Sequence, residues 1–294
     1  MKVLVTGANG FIGFYIVQQL LEKEFEVVAT GRGECRLPFI HPKFRYKAMD
    51  FTDPFSIHDV FEEIKPEAVI HAGAISKPDE CETDQMHAFL VNVEGTVQLL
   101  INATDLKCFF VFLSTDFVFD GERGMYSEDD LPNPPNYYGR TKLEAEEAVK
   151  EHEHGWAIVR TVLVYGKNHS GHANLLGTVK QKLESNQVYS VVDDQVRTPT
   201  FVEDLAKGIV SIIEKRATGI FHLSGKDILT PYQMAIKTAD HLGLNASLLK
   251  KVTAATFSQP ARRPAKTGFV IDKAKKDLGY NPRSFEDGLK LTFD

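Results

Sequence analysis

A short β-rich run, Lys2-Val3-Leu4-Val5, passes directly into Thr6-Gly7-Ala8-Asn9-Gly10-Phe11-Ile12-Gly13 and on into an amphipathic stretch from Phe11 to Leu21. A glycine-rich turn between a strand and a helix restricts the fold of this chain more than any other feature in it. Gly7 permits the tight turn, Gly10 lets the backbone approach a pyrophosphate, and Gly13 lets the helix pack close to the strand. The first-turn amides are left free for an anion, with the positive end of the helix dipole behind them. The competing reading is a turn with no ligand, because a chain with 21 glycines can place three of them at this spacing by chance. The flanking strand and helix weigh against it.

The same strand-then-helix pattern repeats as far as about residue 161. Strands are predicted at Lys2 to Thr6, Glu26 to Thr30, Phe44 to Ala48, Ala68 to His71, Cys108 to Leu113 and Trp156 to Thr161. Helices are predicted between them at Phe11 to Leu21, Pro54 to Ile64, Asp84 to Thr104 and Tyr137 to Glu151. That alternation predicts an α/β protein with a Rossmann-type doubly wound parallel sheet. After Gly166 it loosens into a helix at Asn174 to Leu183, a strand near Val188 to Val192 and the segment Thr198-Pro199-Thr200. Glu203 to Glu214 and Ile220 to Leu223 then read as a helix and strand that rejoin the sheet. With 294 residues, near the limit for one core, we expect a dinucleotide-binding domain over 1–166 plus about 200–225. About 167–199 and 226–294 would form a small, discontinuous C-terminal substrate lobe.

Charge and cysteine usage exclude several classes. The 34 basic and 40 acidic residues give a net charge of -6 with the bases scattered, so no surface is built to neutralise nucleic acid. Cys35, Cys81 and Cys108 are odd in number and far apart, which fits a reducing cytoplasm and neither a disulfide framework nor a zinc knuckle. The N-terminal apolar run breaks at Gly7, too short for a signal peptide or a membrane span. His152 and His154, and His169 and His172, lie in polar stretches with no carboxylate placed to complete a metal site, and no metal is expected.

Nucleotide choice turns on the end of the second strand, where a carboxylate would hold the ribose diol. The chain has Thr30-Gly31-Arg32 there, with no acid before Glu34. Arg32 can grip a 2'-phosphate through a bidentate guanidinium contact, which favours NADP(H), with NAD(H) left open. The alternative for Arg32 is a solvated loop residue. Asp50-Phe51 after the third strand would meet adenine, and Ala72-Gly73-Ala74 after the fourth would line the cofactor trough.

Tyr138-Gly139-Arg140-Thr141-Lys142 opens a helix, and i, i+4 spacing puts phenol and ammonium on one face. Of nine tyrosines, Tyr138 alone has a lysine four residues later; a surface Tyr and Lys is the bland alternative. A phenol with pKa about 10 is a poor proton shuttle at neutral pH. A positive charge about 4 Å away, at an effective dielectric near 20, contributes roughly 4 kcal/mol and would bring Tyr138 to about 7 before desolvation opposes it. Ser114-Thr115-Asp116 closes the fifth strand, where open α/β sheets present ligand residues, and Thr115 is the favoured hydroxyl for a substrate carbonyl. Asn92 would hold backbone or water in a proton relay beside the cofactor, or simply pack.

With these residues in place the chain resembles the extended short-chain dehydrogenase/reductases, and among them the dTDP-4-dehydrorhamnose reductase family. The likeness rests on Thr6 to Gly13, Ser114 to Gly121, Tyr138 to Lys142, Val159-Arg160-Thr161 with Val164-Tyr165-Gly166, and Asp193-Asp194-Gln195 with Pro199-Thr200. It implies a catalytic triad of Thr115, Tyr138 and Lys142, and an NAD(P)H-dependent oxidoreductase acting on a CH-OH group. It also implies a nucleotide-linked 4-keto sugar as substrate, within nucleotide-sugar and carbohydrate biosynthesis. Hydride would go to the sugar C4 carbonyl, Tyr138 would give the proton, and Lys142 would hold the nicotinamide ribose. Sugar contacts are expected from Asp116, Phe117 and Leu163, although the family has tyrosine in place of Phe117 and tryptophan in place of Leu163. The segment Ile75 to Cys81 also departs from the family's usual one. Arg262, in Arg262-Arg263-Pro264, would reach a substrate diphosphate or be an exposed basic turn. A homodimer is compatible with this reading. Two alternatives stand beside it: a nucleotide-sugar epimerase or dehydratase with tightly held NAD, and a non-catalytic, dinucleotide-binding regulatory subunit.

Overall fold

The computed structural model describes residues 1–169, 171 and 174–294. Its first half alternates through β1 (Lys2–Thr6), α1 (Phe11–Glu22), β2 (Glu26–Gly31), β3 (Phe44–Ala48), α2 (Pro54–Ile64) and β4 (Ala68–His71). Side chains on β1 show why it is central. Val3 and Val5 join the core under α1, Leu4 joins the core on the opposite face under α2, and none is accessible to solvent. Alternate residues thus serve two hydrophobic layers, as in a strand covered on both sides. Each such buried side chain stabilises the fold by roughly 1.5–3 kcal/mol.

A short helix, α3 (Pro78–Thr83), precedes the one expected over Asp84 to Thr104, which forms as a continuous run of α4 (Gln85–Phe89), a π-helical turn (Leu90–Glu94) and α5 (Gly95–Asp105). Pro78 opens α3 at a position needing no N–H, and Asp84 caps α4 by accepting from the His87 amide at 3.0 Å. The wide turn carries Asn92, whose side chain is bonded outside its own helix. Local periodicity could not show this wide turn, because it serves a contact 17 residues away.

β5 (Phe109–Thr115) runs two residues beyond its expected end, since Ser114 and Thr115 stay in register with Arg160 and Thr161 of the neighbouring strand. α6 (Tyr137–Lys150), β6 (Trp156–Thr161) and the short β7 (Val164–Tyr165) follow. After them come α7 (Leu175–Glu184), β8 (Tyr189–Val192), β9 (Thr200–Phe201), α8 (Val202–Lys215), β10 (Gly219–His222), α9 (Pro231–Leu242), β11 (Leu249–Val252), α10 (Asp272–Leu278) and α11 (Phe285–Phe293).

Seven parallel strands form the main sheet in the order β3-β2-β1-β4-β5-β6-β10. The order reverses between β1 and β4, which opens a crevice at their C-terminal ends where α/β proteins bind ligands. Away from the sheet, α7 and α9 pack with β8 and β11 around Val179, Leu183, Val191, Ala235, Ala239 and Leu249. The chain then returns over the sheet edge: the Lys266 amide donates to Gly121 at 2.8 Å, and Tyr126 bridges Phe269. Among the described residues no helix is long and apolar enough to cross a membrane.

Candidate active site

A cavity of about 760 Å³ occupies the crevice between β1 and β4. Nine of the expected cofactor residues line it: Gly7, Asn9, Gly10, Arg32, Asp50, Phe51, Ala72, Gly73 and Ala74. Gly7 has a left-handed φ of +66°, and a Cβ there would come within 2.7 Å of the Gly73 nitrogen. A Cβ on Gly13 would come within 2.3 Å of the Gly7 oxygen, so the helix sits on the turn as the glycine spacing requires. Phe11, Ile12 and Gly13 form the first turn of α1, which has no side-chain cap and no acidic residue. Side chains cap α2, α6, α7, α9 and α11, whereas α3, α5, α8 and α10 are uncapped like α1. An uncapped helix start facing a glycine-lined cavity suits the pyrophosphate of a dinucleotide.

The far end of the cavity holds Arg36, a residue that no sequence pattern singled out. Arg36 and Glu34 line it beside Arg32. Asn9 organises this end: its Oδ1 accepts from the Arg36 amide at 2.9 Å, and its Nδ2 donates to Glu34 O at 3.0 Å and to the Tyr46 hydroxyl at 2.9 Å. No local signal marked Arg36, four residues beyond Arg32 in an irregular loop. Asn92 is absent from the cavity wall. Its amide brackets Ile75, accepting from Ile75 N at 2.8 Å and donating to Ile75 O at 3.1 Å, and also donates to Thr141 at 3.1 Å. It thereby positions Ile75, which does line the cavity.

Ile75 joins that cavity to Tyr138 of the expected catalytic pair, because it also packs on the buried cluster of Cys81, Ala88 and Tyr138. The start of α6 is held from three sides. Asn136 accepts from Gly139 N at 2.9 Å, Glu82 accepts from Tyr137 N at 2.9 Å, and the Phe117 ring meets Tyr138 edge-on at 5.8 Å. The Tyr138 phenol faces the Thr115 hydroxyl. Thr115 also accepts from Phe117 N at 3.2 Å and donates to Asp116 at 3.2 Å.

Tyr138 does not have a pKa near 7. Burial drives its phenol well above the ordinary value, with the Asp116 charge adding to the rise and the Thr115 hydrogen bond opposing it. Burial also pushes the Lys142 ammonium down to about 7, with Glu146 opposing. The expectation of an acidified phenol rested on an exposed pair. Here both groups are buried and desolvation dominates each, and the Lys142 ammonium lies 3.9 Å from the centroid of the Phe112 ring.

The remaining expected residues are spread along the returning C-terminal segment and the sheet edge. Asp116 is buried, and both its oxygens are engaged, one by Thr115 and the other by Thr267. Its carboxyl is held above the usual range by burial, against the pull of the buried Arg197. Arg262 is exposed and its carbonyl accepts from Asn136 at 2.7 Å, whereas Arg263 makes a two-pronged ion pair with Asp79 at 2.5 and 2.6 Å. Leu163 sits on the turn after β6 with a left-handed φ of 31° and is partly exposed. His152 is structural, bonded to Thr104 at 3.0 Å and to Cys108 O at 2.8 Å. His169 stacks on Phe14, and His172 lies outside the described residues.

A family model described as "RmlD substrate binding domain" matches residues 1–294. Methionine adenosyltransferase 2 subunit beta of Bos taurus is 32% identical over 296 residues, covering 98% of this chain and 86% of that protein. The crystal structure of dTDP-4-dehydrorhamnose reductase from Bacillus anthracis, solved in complex with NADP, superposes with a TM-score of 0.88 at 28% identity, covering 99% of this chain and 98% of that one. A dTDP-4-dehydrorhamnose reductase ortholog from Clostridium acetobutylicum gives a TM-score of 0.88 at 31% identity, covering 100% and 99%.

Proposed function

The chain belongs to the RmlD substrate binding domain family of extended short-chain dehydrogenase/reductases, and on that premise we propose that it is an NAD(P)H-dependent reductase of a nucleotide-linked 4-keto sugar. The observation that carries this is the placement of Tyr138 at the C-terminal end of β5, where its ring meets Phe117 two residues after Thr115, joined through Ile75 to the glycine-lined cavity. A bound dinucleotide supplies the hydride. Its pyrophosphate would rest on the first turn of α1, and Lys142 would hold its nicotinamide ribose. Thr115 orients the carbonyl by hydrogen bonding, and Tyr138 gives its proton to the developing alkoxide. That oxygen is far more basic than a phenolate, so a Tyr138 pKa raised by burial keeps the acid loaded at neutral pH without stopping the transfer.

The direct test follows NADPH and NADH oxidation with a dTDP-4-keto-6-deoxyhexose. Reductive turnover supports the reading; binding of dinucleotide without turnover removes it. Because two cationic side chains, Arg32 and Arg36, line the cavity at its outer end, NADPH is the favoured donor. Arg32→Ala with Arg36→Ala should weaken NADPH binding by about 10- to 100-fold, the loss of a charge-assisted contact or two. NADH binding should change little. Equal losses for both nucleotides would show that these arginines do not read the 2'-phosphate.

A pH dependence follows from Lys142. The group is charged below about 7 and neutral above it, so a step that needs the ammonium is present at low pH and lost as pH rises. The basic limb of kcat/KM should therefore fall near neutrality, not near pH 10. A profile flat to pH 9 would separate Lys142 ionisation from catalysis.

Among related chemistries, dehydration would need a carboxyl free to protonate the sugar beside Thr115. Asp116 is buried with both oxygens bonded, which supports reduction instead. One observation favours a second reading: the bovine relative is by name a subunit. A regulatory subunit that binds dinucleotide would show affinity without turnover, and in it Tyr138→Phe would change nothing.

A further inference from the structure

Three polar groups meet on the side of α6 turned toward the sheet, one helical turn from Lys142. Glu146 stands one helical turn after Lys142 and is completely buried, as is Arg160 to within 1%. Arg160 gives Nε to both Glu146 oxygens at 3.0 and 3.2 Å and Nη2 to one at 2.6 Å. Ser114 donates to the same carboxylate at 2.5 Å. Ser114 immediately precedes Thr115, and Arg160 is its register partner on β6. One carboxylate therefore touches the strand that presents the substrate hydroxyl and lies on the helix that carries Tyr138 and Lys142.

Stability alone does not explain this pair. Apolar side chains of similar volume often hold a core as well as a buried ion pair does or better, because both charges must be desolvated. The arrangement even leaves Arg160 Nη1 buried with no hydrogen-bond partner among the described residues, so the guanidinium is oriented toward Glu146 at the expense of one donor. The other groups facing Lys142 are Cys81 from α3, His71 from β4 and the Phe112 ring from β5, with Tyr138 one turn before it on its own helix. Burial between Thr6 and Thr96 holds the His71 imidazole well below its ordinary pKa, and burial raises the Cys81 thiol to about 11. Glu146 is thus the group that opposes desolvation of the ammonium most strongly.

We propose that Glu146, clamped by Arg160 and Ser114, is a positioning residue: its fixed negative charge keeps Lys142 in the ammonium form and ties α6 to the Thr115 end of β5. The inference rests on the reading of Tyr138 and Lys142 as the catalytic pair. It predicts that the charge of Glu146, not its packing, sets the pH range of the enzyme.

The test titrates Lys142 in the full chain by NMR of protein labelled at lysine Cε, with the resonance assigned from Lys142→Arg. Glu146→Gln should lower the Lys142 midpoint by about one pH unit or more, the size expected for a charge one turn away in a buried setting. Glu146→Asp should recover at least half of that shift. The basic limb of kcat/KM should move by the same amount, making the loss about tenfold greater above neutrality than at pH 5.5. If Glu146→Gln leaves Arg160 uncompensated and does not fold, Glu146→Gln with Arg160→Met removes both charges; the Lys142 midpoint should still fall, by less than in the single variant because a positive charge is lost with the negative one. An unmoved Lys142 midpoint in a folded variant overturns the proposal, as does an equal loss of activity at every pH. If the wild type reduces no 4-keto sugar, the functional reading fails separately, and the Lys142 midpoint alone decides this one.

Discussion

Tyr138→Phe is expected to lower kcat/KM for the 4-keto sugar by about 10²- to 10⁴-fold, the usual worth of a positioned general acid. Dinucleotide affinity should stay within a factor of a few. The reason for expecting so selective a loss is the packing around the ring. Tyr138 sits in an apolar cluster with Cys81 and Ala88 and meets Phe117 edge-on, contacts that a phenylalanine keeps. Thr115 retains Phe117 N and Asp116 as partners, so no buried hydroxyl is left wholly unsatisfied. Steady-state kinetics with both nucleotides, alongside dinucleotide binding by calorimetry, separates the two effects. A variant that keeps most of its turnover would take the proton from another donor and end the role of Tyr138 as the acid.

Gly139→Ala should be nearly as damaging, through geometry and not chemistry. A Cβ at this position would lie 2.1 Å from Phe117 O and 2.9 Å from the Pro134 side chain. The Phe117 carbonyl belongs to a tight 3-10 turn closed by the Phe119 amide on Asp116 O, so it cannot yield cheaply. The start of α6 must instead slide away from the end of β5, carrying Tyr138 from Thr115. A displacement near 1 Å costs about 10²-fold in rate, and the overpacking costs about 1–3 kcal/mol of stability. Arg140→Ala, at the exposed neighbouring position, serves as the control and should stay within about 0.5 kcal/mol of wild type. Denaturant unfolding and kcat measured together check this. Indistinguishable behaviour of the two variants would mean that the close approach of α6 to Phe117 is unnecessary.

The glycine in Tyr138-Gly139-Arg140-Thr141-Lys142 illustrates what a sequence can and cannot show. The spacing of phenol and ammonium on one helix face is local, and the helix forms where it was expected. That the residue between them must lack a side chain depends on Phe117, more than 20 positions earlier, and no pattern in the motif marks it. Arg36 was missed for a similar reason. It lies in a loop without periodicity, and the bond of its amide to Asn9 across 27 residues brings it to the cavity.

Strand periodicity, turn chemistry and helix-face spacing were legible because each depends on residues within a few positions of one another. They determined the parallel sheet, the glycine turn at its centre and the pairing of Tyr138 with Lys142 on one helix face. The ionisation of that pair was decided only in three dimensions. Phe112 from β5 and Cys81 from α3 close around it, and Thr267, 151 residues beyond Asp116, engages the nearby carboxyl. Desolvation is a property of everything packed around a group, and the chain supplies those neighbours from positions that are adjacent only after folding.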